Sequence, residues 1–244
     1  MDLSHARAAA DEASASRLTD RQVKWLADKC RHEPVRDHRI NFDPGKWPEL
    51  PGTLTDGSSI TRRDVFDLAN GPALDVFTAS YVFGMGTVGY GRSRYDKIRA
   101  AAPDLGAILD GVREIGLCLG PVLAYAQLYG GSDHDCRTSP GTAPWSRIDA
   151  YGPAFFTKFL YFTVPGALIL DARLAGRVAQ LTGREYGYLA KGRPVAWTPY
   201  RYAVYLHWMR QTAAAISVHT APRVVSPELL ELTLFGLDPA GLGD

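Results

Sequence analysis

The stretch Ala150-Tyr-Gly-Pro-Ala-Phe-Phe-Thr157-Lys158-Phe-Leu-Tyr-Phe-Thr-Val-Pro-Gly-Ala-Leu-Ile-Leu170 holds one charged side chain, Lys158, between Asp149 and Asp171. Pro153 suits a first helical position, because its φ is preset and its missing N–H has no partner to lose there. On a helix running from 153 to 164, Lys158 shares a face with Ala154, Phe155, Tyr161 and Phe162, while Phe156 and Leu160 lie opposite. Such a helix is apolar all round and belongs in a core. An ammonium there is costly unless it has partners. Desolvation also lowers a lysine's pKa, which turns the amine into an available nucleophile. The competing reading is an inert stem that covers apolar surface while the ammonium reaches an edge. Asp171 ends the run. It reads both as a partner for the lysine and as the N-cap of a following helix over 172 to 181, with Gly183 just past its end.

The remainder of the chain fits a soluble helical protein. Its 244 residues suit one large domain or two small ones, and 46% hydrophobic with 22% charged residues is ordinary globular composition. Pro165-Gly166 splits the apolar run into pieces too short to span a bilayer, and Lys158 sits near its middle, so no membrane segment is expected. Cys30, Cys118 and Cys136 are too few and too far apart for a disulfide framework or a four-cysteine metal site. With no signal peptide read at the start, a reducing cytoplasm is the expected compartment.

Residues 1 to 30 predict a frayed start and one helix near 18 to 30, capped by Thr19 or Asp20. Residues 31 to 60, with Pro34, Pro44, Pro48 and Pro51, predict a long irregular connection. Thr61 with Asp64 gives a capping-box pattern. Helices are expected over 73 to 83, where β-branched and aromatic residues leave a strand possible, over 92 to 102 and over 105 to 129, with loops over 130 to 143 and 184 to 199. A long helix follows Thr198-Pro199, and a short one follows Ser226-Pro227. No repeat and no strand–helix alternation is visible.

Gly84-Met-Gly86-Thr-Val-Gly89 matches G-x-G-x-x-G. A dinucleotide site would need a preceding strand and an acid about 20 residues on. Asp104 and Asp110 are near that distance, but the chain downstream reads as successive helices. A tight turn between helices is the simpler expectation. A loop touching a ligand or a DNA phosphate is the alternative, since Arg92, Arg94, Lys97 and Arg99 follow. Two clusters, Cys30, His32, Asp37, His38 and Asp133, His134, Asp135, Cys136, lack clean zinc spacing, so neither a metal nor a cofactor is expected.

From Ala172 to Arg223 eight basic residues face one acid, Glu185, a net of +7 in a chain of +1. Tyr186, Tyr188, Trp197, Tyr200, Tyr202, Tyr205 and Trp208 are interleaved with them. Basic groups attract phosphates and aromatic rings stack on unstacked bases, although several of these residues would also suit solvated helix faces. An amine, a carboxylate and a DNA-binding face together make the chemistry of base excision. The base is flipped out, the amine attacks C1′ as the base leaves, and the Schiff base that results permits β-elimination. The carboxylate steadies positive charge on the sugar or assists proton transfer.

Tyr151-Gly152-Pro-Ala-Phe-Phe-Thr157-Lys158, followed by Ala167-Leu-Ile-Leu-Asp171-Ala-Arg173-Leu-Ala175, resembles the helix–hairpin–helix DNA glycosylases, in particular their 8-oxoguanine branch. The run from Phe83-Gly84-Met-Gly86 to Tyr90-Gly91-Arg92 is similar to a glycine-rich stretch of bacterial proteins of this fold. The resemblance implies that Lys158 forms the Schiff base and that Asp171 is the family's acid at a helix start. It departs from the family's hairpin, roughly Leu-Pro-Gly-Val-Gly, in having Ala154 and Phe156 where glycines stand, and the four-cysteine iron–sulfur loop of some relatives is missing.

The expectation is a mostly α, bilobal, helix–hairpin–helix DNA glycosylase-like fold. An N-terminal helix and irregular extension span 1–60, and a helical domain spans 61–244 with its nucleophile and acid at 145–183. Lys158 and Asp171 are the catalytic candidates. Gly84, Gly86, Tyr205, His207 and Trp208 are candidates for the pocket, and Arg92, Arg94, Arg173, Arg177 and Arg201 for DNA. The substrate is double-stranded DNA with a flipped base, an 8-oxoguanine-like purine first, met by a monomer in the cytoplasm at the nucleoid. The rivals are a non-catalytic DNA-binding module, a glycosylase acting on modified phage DNA, and a nucleotide-cofactor enzyme using the glycine loop.

Overall fold

A computed structural model describes residues 3–30, 34–54, 57–129, 147–183, 189–190, 193–194 and 197–238. Among these residues the chain is mostly helical, with eleven α-helices and four short strands. In chain order they are α1 (Leu3–Ser14), α2 (Asp20–Lys29), β1 (Arg39–Asn41), β2 (Ser59–Thr61), α3 (Arg62–Asp67), α4 (Ala73–Met85), α5 (Gly91–Ala101), α6 (Leu105–Leu119), α7 (Pro121–Leu128), α8 (Pro153–Thr163), α9 (Ala172–Thr182), β3 (Leu189–Ala190), β4 (Arg193–Pro194), α10 (Pro199–Thr220) and α11 (Pro227–Gly236).

They form two compact units, neither continuous in sequence. One comprises Met1–Glu33, Ser132–Trp145 and Leu170–Asp244; the other comprises Pro34–Gly131 and Ser146–Ile169. A linear boundary at 60/61 does not anticipate this partition. The first thirty residues join the C-terminal helices, and residues 34 to 60 join the unit that carries Lys158.

In the first unit α10 is the central helix, with Thr198 as N-cap and Pro199 at the first position. Tyr202, Tyr205, Trp208, Met209 and Ile216 are buried along it. α1 packs on α10, so the expected frayed start is instead a twelve-residue helix. Ala9 and Ala13, one turn apart and fully buried, let the two helices approach closely. The indole of Trp208 donates to the Ser16 carbonyl (3.0 Å) and the Tyr200 hydroxyl to Glu12 (2.8 Å). Tertiary packing thus secures a segment whose Ala- and Ser-rich sequence gives only a weak local signal. α2 starts with the full capping box of Thr19 and Gln22.

The second unit opens with a small antiparallel ladder, Arg39 opposite Thr61, Ile40 opposite Ile60 and Asn41 opposite Ser59. It interrupts the stretch read as wholly irregular. Thr61 and Asp64 form the expected capping box of α3. The helix expected over 105 to 129 is two, α6 and α7, because Gly120 takes φ +90° and Pro121 has no N–H to continue the ladder. α4, α6 and α8 pack together. The core around them, completed by α5 and α7, is aromatic: Phe77 stacks on Tyr95 (5.5 Å between centroids), Tyr81 on Phe155 (4.8 Å), and Tyr125 meets Phe156 edge-on (4.7 Å). The glycine loop is shorter than its motif. Gly84 lies inside α4, Gly86 ends that helix at φ +52°, and Gly91 begins α5. A helix, not a strand, precedes it, which removes the dinucleotide reading.

Candidate active site

α8 starts at Gly152 without a side-chain cap and with Pro153 at its first position. The turn before it contains Ala150, whose φ of +63° is the described chain's one left-handed non-glycine residue. The Ala150 carbonyl accepts from Arg94 Nε at 2.8 Å, and the same guanidinium lies 4.7 Å from the centre of the Phe155 ring. Arg94 of α5 therefore fastens the entry to the lysine-bearing helix.

Every residue of α8 from Phe156 to Thr163 is buried. Phe156, where the resemblance would place glycine, is fully buried and fills the core against Tyr125 and Tyr151. Lys158 is 8% exposed. Its Nζ donates to the Ala154 carbonyl one turn back, at 2.7 Å, and lies 5.8 Å from the centre of the Phe155 ring. Both contacts compensate an ammonium held close to apolar side chains. Thr157 makes the parallel bond, its hydroxyl donating to the Pro153 carbonyl at 2.7 Å. One turn on, the Tyr161 hydroxyl accepts from Arg62, a guanidinium only 2% exposed, at 2.9 Å. Arg62 carries no distinguishing mark in the sequence, where Thr61-Arg-Arg reads as the solvated start of a helix.

Asp171 belongs to the other unit and is the N-cap of α9, as expected. Its Oδ1 accepts from the amides of Arg173 and Leu174, each at 3.0 Å. A carboxylate there satisfies two of the orphan N–H groups of the first turn and faces the positive end of the helix dipole. Gly183 closes the same helix in the left-handed region, at φ +63°.

The basic candidates are spread over different roles. Arg92 binds Glu49 through two 2.6 Å contacts and also pairs with Asp96 at 2.8 Å. These bonds raise its pKa and lower that of Glu49. Arg177 is buried and donates to the Leu237 carbonyl at 2.8 Å. Arg173 is exposed and lies 4.8 Å from the Phe235 ring centre. Arg201 is half-buried near the start of α10. Tyr205 and Trp208 are core rings of α10. His207 is half-buried, and burial foremost, with Arg210 beside it, lowers its pKa. Gly84 is in α4 facing the Lys158 stem, and Gly86 lies against Ile40 and the Asn41 carbonyl of β1.

Among the described residues no three His, Cys, Asp or Glu side chains gather as for a metal, and no helix is long and apolar enough to cross a membrane. Cys30 and Cys118 are free thiols, buried and exposed respectively. His32, the 133–136 cluster, Cys136, Glu185, Tyr186 and Tyr188 lie outside the described residues.

Comparison with curated proteins and with solved structures gives no match. A family model does match, over residues 33–235, which covers both the Lys158 helix and the Asp171 cap. Its name points to DNA glycosylase activity. The chain belongs to the family described as "Putative 8-oxoguanine DNA glycosylase OGG-like protein".

Proposed function

We propose that the protein excises an oxidised purine of the 8-oxoguanine type from double-stranded DNA, with Lys158 as nucleophile and Asp171 as the electrostatic and acid–base partner. The observation that carries this reading is a lysine at 8% exposure in an aromatic core, its amine held by the Ala154 carbonyl, in a chain of this family. A leucine or methionine would fill that space without the cost of burying charge.

In the proposed reaction the target nucleotide is flipped from the duplex. Once the Lys158 ammonium has given up a proton, the amine attacks C1′, the N-glycosidic bond breaks, and its electron pair leaves with the base. The amine then loses a proton and the C1′–O4′ bond opens to give the Schiff base, from which β-elimination can cut the strand. Asp171 stabilises the cationic sugar as the base departs and takes up or returns the proton. The helix–hairpin–helix reading assigns the turn at Ala150 to Gly152 and the start of α8 to the DNA backbone. A single copy of the chain, acting in the cytoplasm, suffices.

Borohydride trapping tests this on duplexes that carry 8-oxoguanine or other modified bases, including those of phage DNA. A covalent adduct that disappears in Lys158→Gln is expected. Salt-sensitive DNA binding with neither adduct nor excision, unchanged by Lys158→Gln, would replace the enzyme with a non-catalytic binding module.

A further inference from the structure

Gly84 is the second-last residue of α4, and no backbone conformation there calls for glycine. Gly84 needs no left-handed φ, since Gly86 makes the turn. The reason lies across the α4–α8 contact. A methyl group at Gly84 would sit 2.6 Å from Lys158 Cδ, 2.9 Å from Cε and 3.8 Å from Nζ. The lysine stem runs over the bare backbone of α4 and turns its amine back toward Ala154.

We infer that Gly84 is the positioning residue for Lys158: its missing side chain forms the channel that fixes where the amine is presented. This rests on the proposed role of Lys158 and deepens it. The atoms a methyl would strike belong to a flexible side chain, not to backbone. The lysine is therefore what gives way, while the two helices keep their places. Gly84→Ala should fold as well as the native chain, because only a flexible side chain has to move, and yet misplace the amine. A displacement of about 1 Å can cost about a hundredfold in rate.

The test compares native chain, Gly84→Ala and Lys158→Gln in three measurements. These are melting midpoint, rate of borohydride trapping, and the NMR signal of the Lys158 ε-methylene in chain labelled with ¹³C-lysine. Lys158→Gln assigns the signal. The expected result is an unchanged midpoint, at least a tenfold slower trapping rate, and a shifted Lys158 signal as the amine leaves the Phe155 ring, with other lysine signals in place. Native trapping rate and an unmoved Lys158 signal in Gly84→Ala would overturn the inference while leaving the nucleophile intact. If the native chain traps nothing but the signal still moves, the positioning stands and the proposed chemistry fails. Should Gly84→Ala unfold, Gly84→Ala with Lys158→Ala decides. Recovery of the midpoint to that of Lys158→Ala supports competition for one space, and no recovery overturns it.

Discussion

Two helical glycines of the same unit face the Lys158 helix or its end, and they do opposite work. Gly84 in α4 leaves room for the stem of a lysine. Gly116 in α6 leaves room for Val164, the residue just past α8. An added methyl there would overlap Val164 Cγ2, lie 2.9 Å from Cγ1 and crowd Ala124 Cβ at 3.2 Å. Valine is stiff at χ1 and Ala124 is part of the next helix, so neither can step aside. A lysine stem has several rotatable bonds and can. The same residue type in the same kind of element thus protects stability at one site and the placement of an amine at the other. The neighbour's freedom to move decides which.

The largest effect expected from this contrast is on stability. Gly116→Ala should cost about 2 kcal/mol, since overpacking a filled core typically costs 1–3 and exceeds the gain in helix propensity. For a chain of this length that lowers the melting midpoint by roughly 4–8 °C. Adding Val164→Ala should recover at least half of the loss, measured against Val164→Ala alone by denaturant unfolding. A Gly116→Ala chain as stable as native would break the comparison.

Asp171 sharpens it, because there capping and chemistry share one carboxylate. Asparagine caps a helix about as well as aspartate, so Asp171→Asn should stay within about 0.5 kcal/mol of native, whereas Asp171→Ala should lose about 1 kcal/mol. Under the proposed mechanism both should slow excision by on the order of a hundredfold or more. Slower excision in Asp171→Ala alone would reduce the residue to its cap.

The smallest effect lies away from both glycines. Burial lowers the pKa of His207 below its ordinary value of 6.5, with Arg210 adding to the shift. The unfolded chain then takes up the proton first. Stability should be unaffected well above pH 6.5, fall as pH drops through that value, and level off below the folded pKa. Native, Gly84→Ala and Gly116→Ala chains should lose stability in parallel over this window, with a smaller loss in a His207→Gln chain. A pH dependence that differs between the two glycine variants would point to a titrating group beside one of them.

Much of the local structure was legible. Thr19, Thr61, Asp171, Thr198 and Ser226 all cap helices where their sequence context predicts it, because a cap is a bond between residues two or three positions apart. The burial of α8 followed from an apolar sequence on every face, and its Pro153 start from the residue's fixed φ. The helix at 3–14 was not legible, since its support comes from Trp208 and Tyr200 nearly two hundred residues away. Nor was the fate of the arginines. Arg92 binds Glu49, Arg94 the Ala150 carbonyl and Arg177 the Leu237 carbonyl, partners that charge along the sequence does not announce. Phe156 looked like a departure from a hairpin and is a core ring.

The sequence by itself determined that Lys158 is an isolated charge in an apolar helix and that Asp171 begins another, because both facts depend on residues within a few positions. Only the tertiary structure decided that Gly84 belongs with the lysine and Gly116 with a valine. The spacing from 84 to 158 carries no local signal. The missing side chain acquires meaning when α4 is laid against α8 and the volume it leaves is seen to be filled.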